Sequence, residues 1–387
     1  MIRQSAMSCP CLECTAGVSG AHGFVAMVRA LRDPRDPRGV RHPLAAVVLA
    51  ALCAMACGFD TQRAIGQWVG GASQEVLARL GFRPRRGRTR IEAPSAATVR
   101  RILALVPPGR LEGLLRVFEE VKGQVAVDGK TLRGSRTAER EAVVLLGAML
   151  ADGTLAAQQR VADKTNEITG FAALLCVLDL QDCLVTADAL HCQRGHARVL
   201  VEEMGAHYLF TVKRNQPDLF AACRAVPWEQ VRVKAYDRTR GHGRLETRAV
   251  QAVSWRALDF PHARQVARVV RHRTDLRTGR RSRETVYAIT DMSPALAGPV
   301  EIAAGLRAQW GIENKIHHVR DVAFREDASK IRTGHGPQNT ATLRSIALNF
   351  LRKAGHSIAD TRRALALEPF KAPLDLFGIP CDLRVHP

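Results

Sequence analysis

Between Gln124 and Lys213 the hydrophobic period changes in a fixed order, and that order limits the fold more than any other feature of the chain. Gln124–Asp128 (QVAVD) alternates apolar and polar positions and reads as a strand. Ala142–Leu150 and Leu155–Val161 are two further strand-like runs, and Gly153 in the Asp152-Gly153 pair between them marks a hairpin turn. Thr169–Leu178 then reads as a helix, Cys183–Ala187 as a strand, Gly195–Met204 as a helix and His207–Lys213 as a strand. The expected order is βββ-α-β-α-β, an α/β arrangement on a mixed sheet.

Three hairpin-linked strands followed by two αβ units is the strand order of the ribonuclease H-like fold. In that fold the first and fourth strands lie side by side at the sheet centre. Asp128 ends the first and Asp188 the fourth, so both carboxylates are expected at one sheet edge. Read without that context, the same two aspartates are ordinary turn residues. A third acid lies on Trp310–Arg332, WGIENKIHHVRDVAFREDASKIR. Ile312, Ile316 and Val319 give a helix that starts at Gly311 one apolar face. Glu313, His317 and Arg320 fall on a neighbouring face at i, i+4 and i+7, which suits a site holding a cation and a phosphate. Asp321, Glu326 and Asp327 are rival third acids, and Asp321, two turns beyond Glu313, is second choice. Two aspartates and a glutamate on one edge can hold two divalent cations about 4 Å apart. Oxygen ligands suit Mg²⁺ or Mn²⁺.

The flanking regions read differently. Residues 1–22 lack a structural pattern; Cys9, Cys11, Cys14 and His22 offer metal ligands, but C-x-C-x2-C is not a common zinc spacing. Residues 23–122 form a helical N-terminal domain. Pro43–Gly58 is uncharged, yet it begins too far from Met1 for a signal peptide, and about sixteen residues is short for a membrane span, so it reads as a buried core helix. Phe82–Arg90, FRPRRGRTR, is a loop whose Arg83, Arg85, Arg86, Arg88 and Arg90 suit phosphate contact. Residues 123–214 form the first part of the α/β core, 215–295 an antiparallel β insertion, 296–356 the second part with the glutamate helix, and 357–387 a helical and then Pro-rich tail. Within the insertion, strand-like runs at Gln230–Tyr236, Leu245–Val253, Gln265–Arg273 and Glu284–Ile289 are separated by the basic turns RTRGHGR and DLRTGRRSR.

Lys plus Arg number 57 against 37 Asp plus Glu, a formal charge of +20 that repels itself in a compact chain and calls for a polyanion partner. A nucleic-acid duplex or its strands come first and an anionic membrane surface second. A hydrophobic fraction of 46% excludes a disordered chain. Cys53, Cys57 and Cys176 sit in apolar stretches and no secretory signal is evident, which points to a reducing cytoplasm. Further candidates for phosphate or strand contact are Lys130 and Arg133 after the first aspartate, Asn166 and Glu167, His191 and Gln193 after the second, and Lys213, Asn215 and Gln216 at a strand end on the same edge.

VAVDGKTLRGS, ADKTNEI, VTADALHCQ, YLFTVKRNQPDL, HGRLETR, YAIT, WGIENK with DVAFREDASKIR, and LRSIALNFLRK occur in this order. Together they resemble the H-repeat-associated (Rhs-linked) insertion-sequence transposases of bacteria, a branch of the DDE transposases, over about Asp33 to Lys353. The segment DPRDPRGVRHPLAAVVLAAL resembles the family's associated N-terminal region. From the residues themselves, Lys130, Arg133, His191, Lys213, Asn215, His317 and Arg320 are candidate DNA contacts, and the resemblance implies an acid triad of Asp128, Asp188 and Glu313 that holds the metals. It further implies cleavage of element ends, joining of the 3′-hydroxyl to target DNA, a homodimer in the synaptic complex, no membrane, and a cytoplasmic, nucleoid-associated protein. Two alternatives are a ribonuclease H-like nuclease without strand transfer and a decayed or domesticated copy that only binds DNA. Gln309 stands where relatives usually have His or Arg, and His318 and Arg320 where Trp and Leu are expected.

Overall fold

The computed structural model describes residues 21–381 except 119–120, 162–166, 233–234, 242 and 256. The expectations for residues 1–20, with Cys9, Cys11 and Cys14, and for Asn166 lie outside the described residues.

One nine-stranded sheet runs through the molecule in the order β3-β2-β1-β4-β5-β9-β8-β7-β6. Its first half is β1 (Gln124–Leu132), β2 (Val143–Leu150), β3 (Leu155–Val161), β4 (Leu184–Ala187) and β5 (His207–Val212). β1, β2 and β3 pair antiparallel, with a tight turn only between β2 and β3, whereas β4 and β5 lie parallel to β1 because helices Glu167–Leu175 and Arg194–Arg198 carry the crossovers. β1 is longer than expected. It pairs with β4 only from Gln124 to Val127 but with β2 as far as Leu132, so Asp128 stands mid-strand where the β4 partner stops. Asp-Gly-Lys has turn chemistry, and the pairing with β2 overrides it.

β6 (Ala235–Gly241), β7 (Arg244–Ser254), β8 (Gln265–Asp275) and β9 (Arg281–Thr290) form an antiparallel meander that joins β5 through β9. The expected insertion therefore extends the same sheet. Arg238 and Arg240, expected in a turn, lie in β6, which starts later than the predicted Gln230–Tyr236.

The glutamate helix begins at Pro299 and not at Gly311. Pro299 occupies its first turn, where a missing N–H costs nothing, and Glu301 accepts from the Gly298 N–H at 2.9 Å. Gly311 lies inside the helix because it crosses the sheet closely: a Cβ there would stand 3.1 Å from Met149 Cε. At Gly305 a Cβ would stand 2.9 Å from Leu209 Cδ2. The helix passes into a π-helical turn, Glu313–His317, and continues as His318–Ala323.

The helix Leu44–Ala56 has no charged side chain and is buried at every position but Ala45, as expected of a core helix. Among the described residues no helix is long and apolar enough to cross a membrane. Around it pack Ala21–Arg29, Gln62–Gly70, Gln74–Leu80 and Ala96–Leu105, the last three capped by Thr61, Ser73 and Ser95, whose hydroxyls accept from backbone N–H groups. The expected tail belongs to this core. Ile358–Leu367 and Ala372–Leu376 return to it, Phe377 packs edge-on against Phe350 at 4.9 Å, and Arg362 donates to Asp60 at 2.5 Å. Between the two halves runs Gly336–Lys353, buried from Gly336 to Leu351 although it carries Asn339, Thr342, Arg344, Ser345 and Asn349. Two of its amides hold neighbouring backbone. Asn349 accepts from the Leu155 N–H at 3.0 Å and donates to the Leu155 carbonyl at 2.9 Å, which satisfies the edge of β3. Asn339 donates to the carbonyls of Leu103 and Val106.

Candidate active site

Where the β1–β4 pair ends, Val127 opposes Ala187, and the next residue on each strand is an aspartate. The helix is stitched across this point by two amides. Gln124 donates to Thr186 Oγ1 at 2.9 Å and to the Gly305 carbonyl at 2.8 Å. Gln309 donates to the Val127 carbonyl at 2.9 Å and accepts from Thr186 Oγ1 at 2.6 Å. One turn beyond Gln309 the helix presents Glu313. Gln309, singled out in the sequence only as a departure, thus fixes the helix to both aspartate-bearing strands.

Donor atoms of Asp128, Glu313 and His317 lie within 4.8 Å of one another. The buried His317 places Nδ1 2.9 Å from Glu313 Oε2 and 3.6 Å from Asp128 Oδ2. The π-helical turn sets this spacing by spreading Glu313 and His317 over one wide turn. Asp188 is exposed, outside that set; its Oδ1 accepts from the Leu190 N–H at 2.9 Å and so caps a 3₁₀ turn, Ala189–His191. His317, read from the sequence as a DNA contact, sits between the carboxylates. The signal that could have found it was its i,i+4 spacing from Glu313.

The electrostatics favour a cation at this place. Burial pushes the Asp128 carboxyl up to about 6; His317 and the Gly129 N–H oppose that rise, and the charges of Asp188 and Glu313 add to it. Glu313 is held below the usual range chiefly by the hydrogen bond from His317. A dication would meet what Asp128 lacks, and two carboxylates with an imidazole accommodate Mg²⁺ poorly through nitrogen but well through oxygen, and Mn²⁺ through both.

The rival acids are committed elsewhere. Asp321 accepts from Lys130 Nζ at 2.7 Å. Asp327 lies 3.9 Å from Lys130 and 3.6 Å from Arg133. Glu326 is buried between Arg320 and Arg344. Arg320 is 2% exposed; its Nη2 lies 2.8 Å from Glu326 and its Nη1 donates to Gln158 at 3.2 Å. Its expected grip on a phosphate gives way to a buried ion cluster, because the π-helical turn breaks the seven-residue phase that would have put it beside Glu313. His191 is likewise enclosed, stacked on Phe171 at 4.9 Å, and burial lowers its pKa to about 4. The Lys130 ammonium is bound to Asp321, while Arg133 and Lys213 stay exposed. Asn215 donates to the Ala189 carbonyl at 2.7 Å and Gln216 to the Cys192 carbonyl at 3.1 Å, so both brace the turn after Asp188. Arg83, Arg85, Arg86, Arg88 and Arg90 are all exposed, with Arg85 and Arg88 paired to Glu92 at 2.7 and 2.9 Å.

The family described as "DDE_Tnp_1-associated" matches residues 25–118, and the family described as "Transposase DDE domain" matches residues 119–350. The "Putative transposase YncI" of Escherichia coli O157:H7 is 29% identical over 335 residues, which cover 81% of this chain and 83% of that protein. The "H repeat-associated putative transposase YhhI" of Escherichia coli (strain K12) is 27% identical over 332 residues, with 81% and 85% covered. An uncharacterized protein in the dhlA 3′ region of Xanthobacter autotrophicus is 32% identical over 224 residues, 54% of this chain and 72% of that one.

Proposed function

The chain belongs to the bacterial DDE transposases, and we propose that it cleaves insertion-sequence ends and joins the freed 3′-hydroxyl to a target duplex by in-line phosphoryl transfer. The observation that carries this is the convergence of Asp128 and Glu313, far apart in sequence, on His317 at the point where Asp188 ends its strand. The strand order β3-β2-β1-β4-β5 supports a ribonuclease H-like core within residues 123–214 and 296–356, flanked by a helical domain at 23–122 and an insertion at 215–295. Asp128, Asp188 and Glu313 would hold two Mg²⁺ or Mn²⁺ ions, which when bound supply Lewis acidity at the attacking and leaving oxygens.

The chain's own groups do the rest. His317 orients Glu313 through their hydrogen bond and, buried, keeps that carboxylate turned toward Asp128. Gln309 and Gln124 fix the helix against β1 and β4, so the acids keep their separation without substrate. Arg133 and Lys213, both exposed, would meet phosphates flanking the scissile one. The partners in this reading are the element's inverted-repeat ends and the target duplex, bound by a homodimer in the nucleoid.

A strand-transfer assay with Mg²⁺ and element-end DNA tests it. Joined products are expected from the parent protein. Asp128→Asn, Asp188→Asn and Glu313→Gln are each expected to lose cleavage while the gel shift persists, since one carboxylate scarcely alters a charge of +20. Cut but unjoined products would reduce the protein to a nuclease, and near-normal cutting by Glu313→Gln would remove that residue from the triad.

A further inference from the structure

We propose that two arginine-proline segments of the N-terminal helical region, Asp33–Pro43 and Arg83–Arg90, form one groove that grips the phosphate backbone of a DNA duplex apart from the acid centre. The inference rests on the transposase reading and gives the associated region its part in it. Each segment is built as a rigid loop. Proline fixes φ at 34, 37 and 43, Asp36 accepts from the Arg38 N–H at 2.8 Å to cap the turn Pro37–Gly39, and Arg35 lies back on Asp33 and donates to the His42 carbonyl at 2.7 Å. Gly81, at φ +95, ends the helix Gln74–Leu80 and turns the chain into the second segment. Glu92 then ties down Arg85 and Arg88. The two loops touch through His42, whose ring stands edge-on to Phe82 at 5.9 Å.

Between them lies a cavity of about 630 Å³, lined among others by Arg35, Arg41, Arg83, Arg85 and Arg86, and by no residue of the acid centre. The charges there do not balance. Arg35 is spent on Asp33 and Arg85 on Glu92. Arg41, Arg83 and Arg86 are exposed and, among the described residues, have no ion-pair partner. His42 feels the surplus: its pKa is lowered by burial first and then by Arg35 and Arg85. Three exposed arginines that line one concavity from two loops, unpaired among the described residues, match a line of phosphates, each guanidinium fork able to bind two oxygens. The groove favours a duplex over a single strand or a membrane because, among the described residues, none of the exposed large apolar side chains, Trp310 and Tyr236 included, lines it. A single-stranded RNA would call for an aromatic stacking surface and a membrane for an apolar insert.

The test is fluorescence anisotropy of a labelled duplex with the full chain, in EDTA, over a series of salt concentrations. Arg41→Ala alone and the Arg83→Ala/Arg86→Ala pair are compared with the parent, with thermal melting as the folding control. Removing one arginine–phosphate pairing is expected to lower the log–log salt slope by about 0.9. Both loops are therefore expected to contribute, with Arg41→Ala lowering the slope by about one such step and the pair by about two. An unchanged slope for Arg41→Ala overturns the shared groove. So does parental binding by all the variants, and the transposase reading then stands on cleavage by the acid centre alone. Stronger competition by a single-stranded RNA of equal length, or by phosphatidylserine vesicles, than by unlabelled duplex also overturns it.

Discussion

Replacing Glu326 separates a buried role for Arg320 from a DNA-facing one. Glu326 lies 2.8 Å from Arg320 and 3.2 Å from Arg344, with side-chain exposures of 1, 2 and 3% respectively. Removing one member of a buried charge cluster leaves the others without compensation, a loss of about 3–5 kcal/mol. Glu326→Gln leaves two guanidiniums and one neutral acceptor, so it belongs at the upper end of that range. With an m-value of about 3 kcal/mol/M in urea, the unfolding midpoint should fall by roughly 1 M or more. Arg320→Leu should cost less, about 2–3 kcal/mol, because Glu326 keeps Arg344 while Gln158 loses a donor. The acid limb adds a second readout. Burial raises the Glu326 pKa, but Arg320 and Arg344 outweigh it and the net shift is downward. A depressed carboxylate contributes stability above its unfolded pKa of about 4.3 and loses it as the pH falls through the folded value, so Glu326→Gln should flatten that part of the acid limb. Urea titrations at pH 7 and below, with duplex binding measured on the same preparations, decide the matter. Parental stability with weakened DNA binding in Arg320→Leu would refute the argument.

Three other substitutions probe the site and its frame. His317→Ala should lower cleavage by about 10–100-fold and raise the Mn²⁺ concentration needed, with duplex binding unchanged, as expected of a group that orients a metal-holding carboxylate; cleavage rates against metal concentration show it. Gly134→Ala should destabilise by about 3 kcal/mol, since the new Cβ would fall 1.9 Å from the Ser329 carbonyl oxygen, which is backbone; thermal melting measures it. Glu112 is pushed by burial to about 7, so the folded chain binds more protons than the unfolded one between about pH 4.3 and 7, and stability falls as the pH rises through that window. Glu112→Gln should remove the fall, leaving the variant about 1–2 kcal/mol more stable at pH 8 in denaturant titrations once partial exposure is allowed for.

Most of the sheet was legible because strand alternation and the Asp152-Gly153 turn are local signals. Asp128 and Glu313 could be singled out for the same reason, each standing at or near the end of a periodic run, whereas the structure brings them together with His317 and leaves Asp188 exposed outside that set. What escaped was set by contacts distant in the chain. β1 runs on past Asp128 because β2 pairs with it there. Gly311 reads as a helix boundary on propensity, and only the approach to Met149 explains a glycine inside the helix. Arg320 was phased on an unbroken α-helix, and the π-helical turn removed the premise. His191 and Lys130 read as exposed basic groups because nothing in their neighbourhood announces Phe171 or Asp321. The helices of the tail were legible, but their docking was not, because Leu374 and Phe377 match a core made mostly from the other end of the chain.

The route of the chain through the sheet has a consequence for how the protein comes into being. A ribosome completes both aspartate strands by residue 188, and Glu313 follows only about 125 residues later, after the residues of β6–β9. At ~5–20 residues per second, the nascent chain carries two acids without the third for on the order of ten seconds. The helix Gly336–Lys353, which props β3 and closes both cores, emerges later still. A message broken between Asp188 and Glu313 therefore yields a polypeptide with two acids of the proposed centre and not the third. On the proposed reading, a copy truncated in that interval is expected to make no active nuclease, because the third acid arrives last.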